Sequence, residues 1–323
     1  MTRVRIGSDA VIRRVPILTA LALMVPALSS CSTFDVSVGA RVNGEKVNEK
    51  LIAVAIATGD SANAPSTPTP DATTTTAATG LPGDKARAVL TVLIEAKVAE
   101  QVAAKDGVDL TASRNNEEAR LTPPDKAAFD ALSVADRNLL LDAAGGPQAL
   151  NSAQTPAPTD LEQRYQHPGA TGYVCARYIR FGSEQDAKAA QALLAAGTSF
   201  ADVADQINPQ SNGGVLASDP TTPCVSLDQL RGVGAVADEL LSALLSGTPG
   251  VPIGPVETMT SSGPSWFLFL LRPFAEIGAE LTKAVAAAPA FADYNVAMTI
   301  AQVDVTSRYG VWDPVSDAVV ANP

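Results

Sequence analysis

The sequence predicts an α+β fold, with a mostly helical first half followed by mixed strands and helices. Between residues 84 and 104, apolar residues recur at helical spacing, among them Leu90, Ile94 and Val98. From Gly172 on, short runs of alternating apolar residues are separated by Gly-rich turns, which is typical of strands. The 323 residues are 46% hydrophobic, which is enough for one or two domains with a real core.

Turn and capping signals divide the first half into elements. The pattern predicts a strand at 36–42, an Asn43-Gly44 turn, a helix at 47–57 and a helix at 84–104 with Asp84 as its N-cap. Thr122 and Ser133 each open a further helix, and Gly145-Gly146-Pro147 stops the second of these. Thr159 caps a short helix. Residues 59–83 are mostly Pro, Thr, Ala and Ser and cannot bury enough apolar surface to order themselves, so we expect a flexible insertion.

The second half alternates between the two kinds of element. We expect a strand at 173–181, helices at 184–196 and 199–206 capped by Ser183 and Ser199, a helix at 236–245, strands at 252–257 and 266–271, a helix at 289–301 and a strand at 303–305.

The start of the chain predicts export. Four arginines precede an apolar run, residues 15–28, that is shorter than the roughly 20 residues a membrane-spanning helix needs, so residues 1–30 are typical of a secretory signal peptide. The sequence Leu28-Ser29-Ser30-Cys31 resembles a bacterial lipobox, which implies a lipid on Cys31 and an anchored protein on the extracytoplasmic face of the cell membrane.

Charge and cysteine content narrow the function classes. The net charge is −11, and it becomes −14 once the signal peptide is removed with its four arginines and one aspartate, so nucleic-acid binding is not expected. Beyond Cys31, the chain has Cys175 and Cys224, which in an oxidising compartment favour one disulfide; two buried free thiols are the alternative. The carboxylates are scattered and the one histidine, His167, lies at a linker, so we expect no metal and no cofactor.

Five motifs in order resemble the parvulin domain of bacterial peptidyl-prolyl isomerases. They are Gly197-Thr-Ser-Phe200-Ala-Asp-Val-Ala204, Gly213-Gly214-Val-Leu216, Leu244-Leu-Ser-Gly247, Gly254-Pro255-Val256 and Ser262-Gly263. The resemblance implies a small antiparallel sheet with surrounding helices between residues 166 and 273.

The flanks resemble the N-terminal chaperone module of SurA/PrsA-type foldases. Ala40-Arg-Val-Asn-Gly44 and Leu90-Thr-Val-Leu-Ile94 carry this resemblance. In that family the segment after the parvulin domain completes the helical module. The resemblance therefore implies that residues 274–323 pack back on residues 31–165, with the segment 303–312 pairing near Val38 and with Tyr309 and Trp312 as packing residues.

The family's catalytic positions have changed in this chain. Where the family has two histidines, Tyr178 lies on the first strand and Ser265 on the last, and these two are the candidate catalytic residues. The family's acidic or thiol position falls near Asn208-Pro209-Gln210. Phe200, Leu216 and Trp266 are the candidate substrate-binding residues, and alternate residues of the last strand could line a peptide groove.

Three functions remain open at this point. The favoured hypothesis is a membrane-tethered extracytoplasmic chaperone or foldase-like lipoprotein that binds unfolded exported polypeptides with little or no prolyl isomerase activity. An active peptidyl-prolyl cis-trans isomerase is the second, because peptide-bond rotation needs an apolar cradle and aimed hydrogen bonds rather than a covalent step. The third is a structural envelope lipoprotein that binds one folded partner.

Overall fold

The computed structural model describes residues 38–58, 83–207, 224–232, 238–260 and 263–323, all of which belong to the unit Val36–Pro323. Several predictions fall outside these residues: the signal peptide, the lipidated Cys31, nearly all of the Pro/Thr-rich insertion, the Asn208-Pro209-Gln210 position and Leu216.

The α+β class predicted from the sequence is confirmed. The first half contains β1 (Val38–Val42), β2 (Glu45–Asn48), α1 (Glu49–Thr58), α2 (Gly83–Asp106), α3 (Thr111–Glu118), α4 (Pro123–Asp130), α5 (Val134–Ser152) and α6 (Leu161–Arg164). The middle contains a short 3-10 helix (Pro168–Thr171), β3 (Tyr173–Val174), β4 (Ala176–Phe181), α7 (Glu184–Ala195), α8 (Phe200–Ile207), β5 (Val225–Ser226), α9 (Leu227–Gly232), α10 (Asp238–Ser246), β6 (Pro252–Thr260) and β7 (Gly263–Leu271). The end contains α11 (Phe274–Ala287), α12 (Pro289–Ile300), β8 (Val303–Val305), β9 (Val311–Asp313) and β10 (Ala318–Val320).

Helix α5 corrects one sequence prediction, because it continues through Gly145-Gly146-Pro147 instead of ending there. A Cβ on Gly145 would lie 2.5 Å from the Ser113 hydroxyl of α3, and one on Gly146 would lie 3.5 Å from the Ala99 Cβ of α2. The glycines therefore allow α5 to approach two neighbouring helices closely. The packing against α2 and α3 outweighs the local helix-breaking tendency of these residues.

The C-terminal segment returns to the first strand. Strand β8 pairs antiparallel with β1, with Ala40 opposite Val305, and β1 also pairs with β2 in a three-stranded sheet. The Tyr309 hydroxyl, 2% exposed as a residue, donates to Glu49 Oε1 at 2.7 Å. The pairing predicted from the family resemblance is present, whereas the domain boundaries at 165 and 273 stay a prediction.

Several boundaries differ from the sequence predictions. Residues 45–48 form β2, so the first helix begins at Glu49 and not at Val47, because the Asn43-Gly44 turn makes a hairpin. The short helix near 160 begins after Asp160 without a side-chain cap from Thr159. Helix α11 was not predicted at all. By contrast, Ser133, Ser183 and Ser199 accept hydrogen bonds from the backbone N–H three residues on, as N-caps do.

Strands β4, β7 and β6 form a three-stranded antiparallel sheet in that order, with β7 in the centre. Helices α7 and α8 pack on one face, where Ile179 and Leu268 form a core with Ala187 of α7 and Val203 of α8. Helices α9 and α10 pack over part of the other face. Within the described ranges, no helix has both the length and the apolar character needed to cross a membrane.

Candidate functional site

The register of β4 and β7 decides which side chains share a face of the sheet. Tyr178 lies opposite Phe269, and Phe181 lies opposite Trp266. Because strand side chains alternate between faces, Tyr178, Phe267 and Phe269 lie on one face, and Phe181, Trp266 and Leu268 lie on the other. The alternation considered for the last strand is therefore observed.

The first of these faces carries a row of aromatic rings, which we term the aromatic face: Tyr178, Phe267 and Phe269. The Phe267 and Phe269 rings stack with centroids 5.8 Å apart, and Tyr178 lies 6.0 Å from Phe267 and 6.4 Å from Phe269. Phe269 is 1% exposed and belongs to the core, whereas Tyr178 and Phe267 are only partly buried. The partly exposed rings of Tyr178 and Phe267 therefore leave an apolar surface on the paired strands β4 and β7.

Ser265 and Tyr178 share this face but differ in accessibility. The Ser265 hydroxyl accepts from Arg180 Nη2 at 3.0 Å and from Nε at 3.3 Å, and the residue is only 3% exposed. Its cross-strand partner on β6 is Thr258, which is 7% exposed. Ser265, a candidate catalytic residue, is thus buried beneath the Arg180 guanidinium, and its catalytic role stays a prediction.

Phe200 and Trp266 do not join this site. Phe200 is 6% exposed in the core under α7 and α8, and Trp266 packs against the same core on the face opposite Tyr178. Both lie at the core on the side of the sheet away from Tyr178, and their role in substrate binding stays a prediction. Their packing explains the apolar character that suggested a binding role.

Sequence reasoning missed Arg180. It lies two residues after Tyr178 on the same strand, so it projects to the same face and reaches the Ser265 hydroxyl. The period-two spacing from Tyr178 could have found it. Its guanidinium donates to Ser265, at a position where the resemblance implied a histidine.

A disulfide joins Cys175, immediately before β4, to Cys224. Cys175 lies between β3 and β4, and Cys224 immediately precedes β5, which pairs with β3. The Tyr165 hydroxyl donates to the Cys175 carbonyl at 3.3 Å, and burial raises the pKa of Tyr165 so that it remains a neutral donor. The covalent link therefore fixes the beginning of the strand that carries Tyr178.

Metal or cofactor ligands do not converge here. Among the described residues, no group of three or more His, Cys, Asp or Glu side chains is placed to hold a metal ion. The one histidine, His167, is exposed and precedes the short 3-10 helix. The site presents apolar surface, one phenol and one guanidinium.

Solved structures similar to this chain are foldases. The PrsA structure from Bacillus subtilis is 17% identical, covers 68% of this chain and 84% of its own, and has a TM-score of 0.26. The PrsA peptidylprolyl isomerase from Bacillus anthracis is 18% identical over 64% of this chain and 93% of its own, with a TM-score of 0.22. The PrsA foldase from Streptococcus pneumoniae is 12% identical over 66% and 80%, with a TM-score of 0.23.

These structural neighbours are of the type that the sequence motifs resemble. No protein-family model matches the chain, and no curated protein sequence does either.

Proposed function

We propose that this protein is a lipid-anchored extracytoplasmic chaperone of foldase type that binds extended, apolar segments of exported polypeptides on its aromatic face. The observation that carries the proposal is the partial exposure of Tyr178 and Phe267 beside the fully buried Phe269. Accessible rings on a rigid strand pair lose little conformational entropy when a ligand covers them.

The composition of this surface favours a loose polypeptide over a compact polar ligand. Ile253 and Val256 of β6 lie beside the rings and are likewise partly buried, so the apolar area continues across the sheet. Burial of apolar area contributes roughly 25 cal/mol per Å² and is not directional, which tolerates many client sequences. Arg180 places a positive charge at one end of this surface.

The same geometry argues against efficient prolyl isomerisation. An isomerase must aim donors at the twisting amide. Ser265 is buried and held by Arg180, so of the two candidate catalytic residues only Tyr178 is partly exposed. We therefore place isomerase activity second to binding.

Export and anchoring rest on the first thirty-one residues of the sequence. A charged start, a short apolar run and Leu28-Ser29-Ser30-Cys31 support cleavage before Cys31 and lipid attachment to its thiol. Expressed in a bacterium, the chain should fractionate with membranes, and Cys31→Ser should move it to the soluble fraction. A wild-type chain whose N-terminus retains residues 1–30 would contradict the anchor.

The binding proposal is tested by the aggregation of a chemically unfolded client in the presence of the full-length chain in detergent. We expect suppression by the wild type and its loss in Tyr178→Ala/Phe267→Ala. The matched control is Val134→Ala, an apolar truncation at a 63% exposed position of α5, which should behave as wild type. Equal suppression by all three proteins would overturn the aromatic face as the binding site.

The same samples are assayed for cis–trans exchange in a short Xaa-Pro peptide. We expect the exchange rate to stay at background. A faster rate that Tyr178→Phe abolishes would establish the isomerase alternative in its place.

A further inference from the structure

A second site is suggested by a cavity of about 180 Å³. Its lining includes Glu95 of α2, Asp228 and Arg231 of α9, Tyr294, Asn295 and Met298 of α12, and Ser316 and Asp317 of the turn between β9 and β10. Elements from the first half, the middle and the end of the chain thus meet around it. An apolar cavity of roughly 150 Å³ can hold benzene, so this volume admits a molecule of a few heavy atoms with water.

The charges around the cavity do not balance. Three carboxyl groups face one guanidinium, and Arg231 Nη1 is already paired with Asp317 Oδ2 at 2.5 Å. Arg231 Nη2 also donates to the Thr299 hydroxyl at 3.4 Å. Glu95 forms neither a hydrogen bond nor a salt bridge with any other described residue. Acceptor capacity therefore exceeds donor capacity in the cavity.

Two buried polar atoms in the lining have no partner among the residues that the structure describes: Asp317 Oδ1 and Arg231 Nε. Their side chains are only 8% and 9% exposed. A buried carboxylate oxygen without a donor costs about 1–3 kcal/mol, so native proteins normally satisfy it. Since Asp317 points one oxygen at Arg231 and leaves the other unpaired, the arrangement has room for one more donor.

We propose that this cavity binds a small organic cation with N–H donors, an alkylammonium or guanidinium ion, between Glu95 and Asp317. The cation supplies the missing positive charge and donors, and Met298 and Tyr294 offer apolar contact to its alkyl part. A water molecule beside the cation can accept from Arg231 Nε. Within the described ranges the carboxylates do not converge as metal ligands do, so an organic cation fits better than a metal ion.

The protonation of the cavity supports this assignment. Burial, followed by the charges of Asp317 and Asp228, raises the pKa of Glu95 to about 8 against the lowering effect of Arg231. Burial likewise raises the pKa of Asp317 to about 7, with Asp313 and Asp228 adding to it and Arg231 opposing it. Burial keeps the pKa of Tyr294 well above its ordinary range, so its phenol stays neutral.

Near neutral pH, protons on the Glu95 and Asp317 carboxyl groups thus neutralise the charge that a bound cation would otherwise balance. A bound cation favours the ionised carboxylates, so binding should release protons, and affinity should rise as the pH increases from 6 to 9.

The test measures the thermal unfolding temperature of the full-length chain in detergent with ethylammonium chloride or methylguanidinium chloride at pH 8. We expect an increase with either salt and none with tetramethylammonium chloride at equal ionic strength, because that ion has no N–H donor. The increase should be larger at pH 8 than at pH 6, and Glu95→Gln should remove most of it. Glu100→Gln, on the same helix but outside the cavity lining, is the matched control and should respond as wild type.

Equal shifts with all three salts, or no shift at any pH, would mean that the cavity holds water only and would overturn the proposal. If Glu95→Gln does not fold, the comparison of the three salts on the wild type still decides. A shift of equal size in wild type and folded Glu95→Gln would also reject this site. None of these outcomes depends on client binding at the aromatic face.

Discussion

The two faces of the β4–β7–β6 sheet are made by the same strands and are covered very differently. Toward α7 and α8, Ile179 and Leu268 are fully buried, and Phe200 closes the core. On the other face α9 and α10 cover only part of the sheet, and of the three aromatic rings Phe269 is fully buried while Tyr178 and Phe267 remain partly exposed. One face therefore holds the sheet together, and the other offers apolar surface for a ligand.

This comparison teaches that residue type alone does not separate core from binding surface. Trp266 and Phe267 are adjacent aromatic residues on β7, yet the alternation sends them to opposite faces. The core face should respond to substitution with lost stability, and the aromatic face with lost binding. The predictions below test that division.

The largest effect is expected from the disulfide, which fixes the edge shared by both faces. Cys175→Ser with Cys224→Ser removes a cross-link between positions 49 residues apart. Chain entropy then predicts a loss of about 4 kcal/mol in the free energy of unfolding. Urea unfolding of the oxidised wild type and of the double variant measures it. A loss below about 1 kcal/mol would show that packing around Tyr165, and not the cross-link, holds this edge.

On the core face, Phe200→Ala should lower the free energy of unfolding by about 3 kcal/mol, because it leaves a cavity beneath α7. The folded fraction should still suppress client aggregation as the wild type does. Denaturant titration measures the loss of stability, and the aggregation assay, run at a temperature where the variant is folded, measures client binding. If fully folded Phe200→Ala no longer suppresses client aggregation, Phe200 belongs to the binding surface.

On the aromatic face, Phe267→Ala should show the reverse pattern. Its ring is partly exposed, so the stability loss should stay near 1 kcal/mol. Affinity for an unfolded polypeptide should fall about tenfold, which corresponds to roughly 1.4 kcal/mol. Fluorescence anisotropy of a labelled client measures the affinity. A larger effect on folding than on binding would mean that the two faces do not differ in role.

The smallest effect is expected at Ser265. Ser265→Ala removes the acceptor of two hydrogen bonds from the Arg180 guanidinium, which solvent can still reach, so the stability loss should be below about 1 kcal/mol. Client affinity and Xaa-Pro exchange should both stay at the wild-type level. Thr258→Val, its buried cross-strand neighbour, is the matched control. A clear loss of exchange in Ser265→Ala alone would restore Ser265 as a catalytic residue.

Local signals in the sequence predicted most elements of the fold. The three serine caps and the Asn43-Gly44 turn depend on interactions within a few residues, which a sequence displays directly. The strands predicted at 173–181 and 266–271 were found from local alternation of apolar residues, although their pairing joins distant segments. The helix through Gly145-Gly146-Pro147 could not be predicted, because its stability comes from contacts with Ala99 and Ser113 on other helices. Helix α11 was missed because its apolar positions, Ile277, Leu281 and Val285, were not recognised as one helical stripe.

The candidate site was predicted only in part. The family resemblance led to Tyr178 and Ser265, and the structure places both on one face. It could not show that Arg180 covers Ser265, because that contact joins residues 85 positions apart. It also could not show that Phe200 of α8 packs into the core on the side of Trp266, since that contact joins a helix to a distant strand.

The sequence by itself determined the serine N-caps and the Asn43-Gly44 turn, which cysteines were available to pair and which residue types stand at the family's catalytic positions. The tertiary structure alone decided which aromatic rings stay accessible and which carboxylates share a cavity with a single arginine. The physical reason is the separation along the chain over which each kind of interaction acts. Capping and periodicity act within one or two turns of the chain, whereas burial and charge balance depend on segments as far apart as Glu95 and Asp317.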